Sequence, residues 1–211
     1  MGGIEELKKE NLGKRSRFVG DPMFDAFRIY SEKIDVQKIR LNLLVGGSSF
    51  VPSKFYYLTC HREENTKDDK TLLGILQAME ELDAPTIYPV HPRNREKALY
   101  LQKEKDISNV LLVEPVGYLE ITAIVRQADK IVTDSGGLQR EAFFAGEKYV
   151  TVFDIPIWPE TMVGNRNSLA KATTEDILEK LALEQEIDAS YQPFGDGHAV
   201  EKIVAAIEEA E

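Results

Sequence analysis

The sequence predicts an α/β fold, a parallel sheet with helices on both faces, and three observations carry that prediction. Short apolar runs alternate with stretches of helical periodicity. The runs are apolar throughout, as strands buried on both faces are. Polar clusters fall directly after successive runs, where ligands of an open parallel sheet sit.

The elements follow in order. FVGDPMFDAF, Phe18 to Phe27, reads as the end of a strand followed by a proline-initiated helix. FYYLTC, Phe55 to Cys60, is strand-like, and Asp68 to Leu82 sets Leu72, Ile75, Leu76, Met79 and Leu82 at helical spacing, with Thr66 or Asp68 available as its cap. TIYPV, Thr86 to Val90, precedes a charged helix from about Arg95 to Glu104; NVLLVE, Asn109 to Glu114, precedes a helix over Tyr118 to Ala128. Lys130 to Thr133 leads into DSGGLQREA, Asp134 to Ala142, where two glycines and an amphipathic run with Leu138, Ala142 and Ala145 predict strand, tight turn and helix. YVTVF, Tyr149 to Phe153, an irregular stretch around Pro156 and Pro159, SLAKA, Ser168 to Ala172, and a helix over Thr174 to Leu183 complete the alternation. In FGDGHAVEKIVAAIEEAE, Phe194 to Glu211, Gly195, Asp196 and Gly197 make a turn and cap, and Val200, Ile203, Val204 and Ile207 form the stripe of a packing helix.

Composition bounds the function. At 211 residues and 43% hydrophobic, the chain can bury a substantial core. A net charge of -10 argues against nucleic acid or an anionic membrane as partner. The single cysteine, Cys60, excludes an internal disulfide and fits a reducing cytoplasm. No apolar stretch approaches the roughly 20 residues of a membrane span, and the N-terminus has no apolar signal core. The three histidines and one cysteine lack metal-ligand spacing.

The DSGG turn is the most informative segment. Unpaired amides at a helix start present partial positive charge to an anion, and Glu141 stands one turn further along the same face. A carboxylate repels phosphate but pairs with a sugar diol, so amides plus acid point to a nucleotide; a structural turn with a solvated glutamate is the plain alternative. Company on neighbouring strand ends favours the functional reading: His61, Arg62, Glu63, Glu64 and Asn65 after the first strand, His91 to Asn94 after the second, Pro115 and Tyr118 after the third. His198 reads as a surface residue.

These strings carry a family resemblance. CHREEN (Cys60 to Asn65), HPRN (His91 to Asn94), PVGY (Pro115 to Tyr118), TDSGGLQREA (Thr133 to Ala142), WPET (Trp158 to Thr161) and FGDG (Phe194 to Gly197), in this order, resemble the C-terminal half of the non-hydrolysing UDP-N-acetylglucosamine 2-epimerases, with VGDPMFDA (Val19 to Ala26) similar to the segment entering that half. The resemblance implies one Rossmann-like half of a GT-B-type enzyme: residues 1–50 an arm and crossover helices belonging with a missing first domain, residues 51–211 the UDP-binding domain with its C-terminal helix. It implies conversion of UDP-N-acetylglucosamine to UDP-N-acetylmannosamine by elimination and re-addition of UDP, without NAD or metal, in a cytoplasmic homodimer serving polysaccharide biosynthesis. The acidic groups that move the C2 proton would lie in the missing domain, leaving this chain inactive alone.

By the same resemblance, Ser135, Gly136 and Gly137 bind the diphosphate, Glu141 the ribose hydroxyls, and His61 is the catalytic or orienting group. Arg62 and Glu64 shape their loop or help bind nucleotide sugar, His91 and Tyr118 complete the rim, and Ile121 takes the place of an aromatic residue near uracil. Glu63 replaces a second basic residue, and Trp158 an arginine that reaches the substrate, with Arg166 a possible compensation. The alternatives are a hydrolysing epimerase or GT-B glycosyltransferase domain, and a non-catalytic nucleotide-sugar-binding module.

Overall fold

Each central strand of this chain points alternate side chains to opposite faces, and both faces are apolar, so two cores must form. A computed structural model, which describes residues 2–209, shows both; Met1 and residues 210–211, where the predicted arm begins and the last helix was drawn to end, lie outside the described residues. In chain order the elements are α1 (Gly2–Lys9), α2 (Pro22–Tyr30), β1 (Arg40–Asn42), β2 (Ser48–Phe50), β3 (Tyr56–Thr59), α3 (Glu63–Thr66), α4 (Asp69–Glu80), β4 (Thr86–Pro89), α5 (Arg95–Glu104), β5 (Val110–Val113), α6 (Tyr118–Gln127), β6 (Ile131–Thr133), α7 (Gly136–Ala145), β7 (Tyr149–Val152), β8 (Asn167–Ala170), α8 (Thr174–Leu181) and α9 (Ala199–Glu208).

Six strands pair in parallel in the order β5-β4-β3-β6-β7-β8. Leu58, Tyr88, Leu112, Val132 and Val150 point to one face and pack under α4, α5 and α8. Tyr57, Ile87, Val113, Ile131 and Tyr149 point to the other, against α2, α6 and α7. The predicted alternation of strand and helix is therefore the observed one, as a Rossmann-like doubly wound sheet. Its strand order reverses between β3 and β6, which makes the ends of those two strands the topological switch point.

Local chemistry sets the helix starts. Asp68, not Thr66, caps α4 by accepting from the Thr71 amide at 2.8 Å, while Thr66 closes the short α3. Asp21 caps α2 with Pro22 in its first turn. No strand precedes α2 among the described residues: Gly20 sits at φ +102°, and the Asp21 amide donates to the Phe194 carbonyl at 2.9 Å instead of to a ladder. The unanticipated elements are β1 and β2, an antiparallel pair that forms its own sheet.

The last helix also departs from expectation. Its start is held firmly: the buried Asp25 carboxylate accepts from the Ala199 and Val200 amides at 2.9 and 2.8 Å, and Ala199 lies against Gly20. Yet Val200, Val204 and Ile207 remain about half exposed, so the apolar stripe is only partly covered. His198 lies on the surface, 3.3 Å from Glu201.

Candidate functional site

The loops after β3 and β6 meet at the switch point around one buried carboxylate. Asp134, 1% exposed, follows β6 directly. Its Oδ2 accepts from the His61 and Arg62 backbone amides, both at 2.9 Å, and from Asn65 Nδ2 at 3.2 Å. Its Oδ1 lies 3.3 Å from His61 Nδ1. A carboxylate in so dry a place is tolerable only when several donors satisfy it. Arg62 completes the knot by donating Nε to the Asp134 carbonyl at 2.6 Å, and its guanidinium stacks on Phe153 at 4.4 Å. Asn65 also donates to the Val152 carbonyl at 2.9 Å, tying in the end of β7.

This knot fixes His61, whose imidazole is 39% exposed at the sheet's carboxyl edge. His91 follows β4 and caps the short 92–94 turn, where its Nδ1 accepts from the Arg93 amide at 3.2 Å. Its Nε2 therefore carries the proton when the ring is neutral. The two rings lie nearly parallel, 27° apart in plane, with centroids 6.4 Å apart. Cys60, between the two loops, is buried; desolvation first and Asp134 second push its thiol well above the usual range, so it stays protonated.

Beyond Asp134 the chain enters α7. Ser135 is its cap, with Oγ accepting from the Leu138 amide at 3.4 Å, and the Ser135 amide donates to Thr133 Oγ1 at 2.9 Å. The helix begins at Gly136, the first of the two glycines. Among the described residues nothing accepts from the Gly136 and Gly137 amides. Those two donors lie at the positive end of the helix dipole.

Glu141 comes one turn later and is 6% exposed. Burial pushes its carboxyl up to about 7, against a smaller lowering by Arg140. Burial first and the Glu141 charge second raise the phenols of Tyr57 below it and Tyr118 at the start of α6. Tyr118 is 43% exposed and packs edge-on against Tyr30, rings 6.4 Å apart.

The structure thus brings His61, Arg62 and Ser135 together through Asp134, sets His91 beside His61, and places Tyr118 within the field of Glu141. Glu64 lies apart, exposed on α3, and Ile121 is half-buried against the core beneath α6. Arg166 lies elsewhere, stacked on Phe143 at 4.5 Å with Nη1 donating to the Phe143 carbonyl. Asp134 and Asn65 are the structural residues that sequence reasoning passed over; both stood inside quoted strings, at the ends of apolar strands, where a polar side chain needs a partner.

A family model described as UDP-N-acetylglucosamine 2-epimerase matches residues 4–208. The chain belongs to that family. Among curated relatives, a UDP-N-acetylglucosamine 2-epimerase homolog from Methanococcus maripaludis is 34% identical over 205 residues, covering 95% of this chain and 57% of its own length. A UDP-2,3-diacetamido-2,3-dideoxy-D-glucuronate 2-epimerase from Pseudomonas aeruginosa is 32% identical, covering 95% and 55%. The UDP-GlcNAc 2-epimerase of Methanocaldococcus jannaschii, solved in complex with UDP-GlcNAc and UDP, superposes with a TM-score of 0.75 at 25% identity, covering 97% of this chain and 58% of that one. The chain spans little more than half the length of these epimerases, and the part it matches contains the switch point and α7. No helix among the described residues is long and apolar enough to cross a membrane.

Proposed function

We propose that this chain is the UDP-holding half of a UDP-N-acetylglucosamine 2-epimerase. The observation that carries the reading is the pairing, on one helix, of two amides at Gly136 and Gly137 that have no acceptor among the described residues with a buried carboxylate at Glu141. The amides and the Ser135 hydroxyl take the diphosphate, and Glu141, once ionised, accepts from the two ribose hydroxyls. The exposed side chain of Tyr118 flanks the base. His61, with His91 beside it, faces the sugar and the bridging oxygen.

Breaking the anomeric C–O bond moves negative charge onto the departing diphosphate. Fixed amides and an imidazole stabilise that charge most where it is greatest, which lowers the barrier rather than merely tightening binding. UDP and the C2 proton leave to give a 2-acetamidoglucal; re-addition of UDP at C1 with a proton delivered to the opposite face of C2 yields UDP-N-acetylmannosamine. Neither NAD nor a metal takes part. Proton transfer at C2 falls to groups in the portion of the relatives that this chain does not span, so the chain by itself binds UDP and turns over no substrate. The whole enzyme acts in the cytoplasm as a homodimer.

A second substrate is favoured by one comparison: the Pseudomonas aeruginosa relative acts, by its name, on a UDP-2,3-diacetamido uronate. Both substrates present the same UDP. Thermal denaturation tests the shared part: saturating UDP raises the melting temperature, and a hundredfold excess over Kd adds about 2.7 kcal/mol. No shift at millimolar UDP defeats the reading. Product analysis with the full-length protein then separates epimerisation from release of free sugar or transfer to an acceptor.

A further inference from the structure

The chain's single tryptophan lies against the phosphate cradle, and the pathway of contacts through it is continuous. Trp158 Nε1 donates to the Gly136 carbonyl at 2.8 Å. That carbonyl belongs to the same trans peptide as the Gly137 amide, so pinning the oxygen on one side aims the N–H on the other. The indole is held in turn. The Trp158 carbonyl accepts from the Thr161 amide at 2.9 Å and from Thr161 Oγ1 at 2.8 Å, which locks its backbone. The Arg140 guanidinium lies 4.3 Å over the indole ring. Arg140 Nη1 meets Asp21 Oδ2 at 2.8 Å, both side chains being largely buried. Asp21 caps α2 and is bonded through its own amide to Phe194. Ile157 packs beside Gly136, so that a Cβ there would sit 3.4 Å from Ile157 Cγ2 and 3.6 Å from Trp158 Nε1.

We propose that Trp158 is a positioning residue of the cradle: its indole N–H holds the Gly136–Gly137 peptide in the orientation that a nucleoside diphosphate requires, and Arg140 braces the indole against Asp21. The proposal rests on the reading of α7 as the UDP cradle. A carbonyl that accepts a second hydrogen bond also polarises its peptide, which strengthens the Gly137 N–H as a donor to phosphate. Gly136 and Gly137 supply the contact; Trp158 supplies its aim.

Because the chain has one tryptophan, a nitrogen-15 correlation spectrum of the labelled chain contains one indole resonance. Titration with UDP shifts that resonance and the Gly137 amide together, with one midpoint. W158F keeps an aromatic ring under Arg140 and removes the N–H; it weakens UDP binding about three- to tenfold, while the free variant stays folded and melts only a few degrees, roughly 2–4 °C, below the parent. An unmoved indole resonance at saturating UDP overturns the proposal even if W158F folds poorly. Equal UDP affinity in a folded W158F overturns it as well. Absence of UDP binding by the parent chain defeats the cradle reading itself, and the brace with it.

Discussion

Replacing Glu141 with Gln separates what this carboxylate does for the ligand from what it costs the fold. Burial raises its carboxyl from 4.5 to about 7, so ionising it in the folded chain costs roughly 3 kcal/mol more than in the unfolded one, at about 1.4 kcal/mol for each pH unit. The folded state therefore holds its proton more tightly: stability is greatest below about pH 4.5 and declines as pH rises towards 7. At pH 8 the parent carries the full penalty and E141Q carries none. The variant melts higher there, by up to roughly 5–10 °C for a chain of this size, and by far less at pH 5, where the folded carboxyl is neutral and only the first part of the penalty has developed. Ligand binding has the opposite sign, since the ribose reading requires the ionised acid. UDP affinity of the parent drops about tenfold from pH 8 to pH 6, and E141Q loses both the affinity and its pH dependence. Differential scanning fluorimetry from pH 5 to 8.5, with and without UDP, reads both effects. A melting difference between parent and variant that is constant across this range refutes the argument.

Further outcomes follow from the same geometry. D134N leaves the donors of His61, Arg62 and Asn65 facing a poorer acceptor and lowers stability by about 2–3 kcal/mol, measured by urea denaturation. D25A removes the acceptor at the start of α9 at a cost of about 1–2 kcal/mol, and hydrogen exchange finds the Ala199 and Val200 amides newly unprotected while those of α4 are unaffected.

Much of this structure was legible because its signals are local. Helical spacing from Leu72 to Met79, the Asp68 cap and the continuous apolar character of Tyr56 to Thr59 each arise within one segment, and each element formed where the pattern lay. The strand order is different in kind. β3 pairs with β6 across more than seventy residues, and no periodicity within either strand announces its neighbour. Asp134 could be seen as the first letter of a glycine turn, but its role as common acceptor appears only once β3 stands beside β6. The β1–β2 pair escaped notice because three-residue strands are too short to show alternation. The stripe on α9 misled for a related reason: apolar spacing shows which face a helix offers, not whether another element covers it.

Trp158 illustrates the same limit from the side of chemistry. Set against its family it read as a lost charge, whereas in the structure its nitrogen and its ring serve separate neighbours, Gly136 and Arg140.

The shared acceptor at Asp134 has a consequence for anyone recombining this domain with its relatives. The loops after β3 and β6 are a single unit of inheritance although the sequence writes them far apart. A graft that imports the His61–Asn65 loop without its matching aspartate, or the glycine turn without that loop, orphans either three donors or one charge. Chimeras that exchange both together should retain the fold, and library designs gain by treating the two stretches as one cassette.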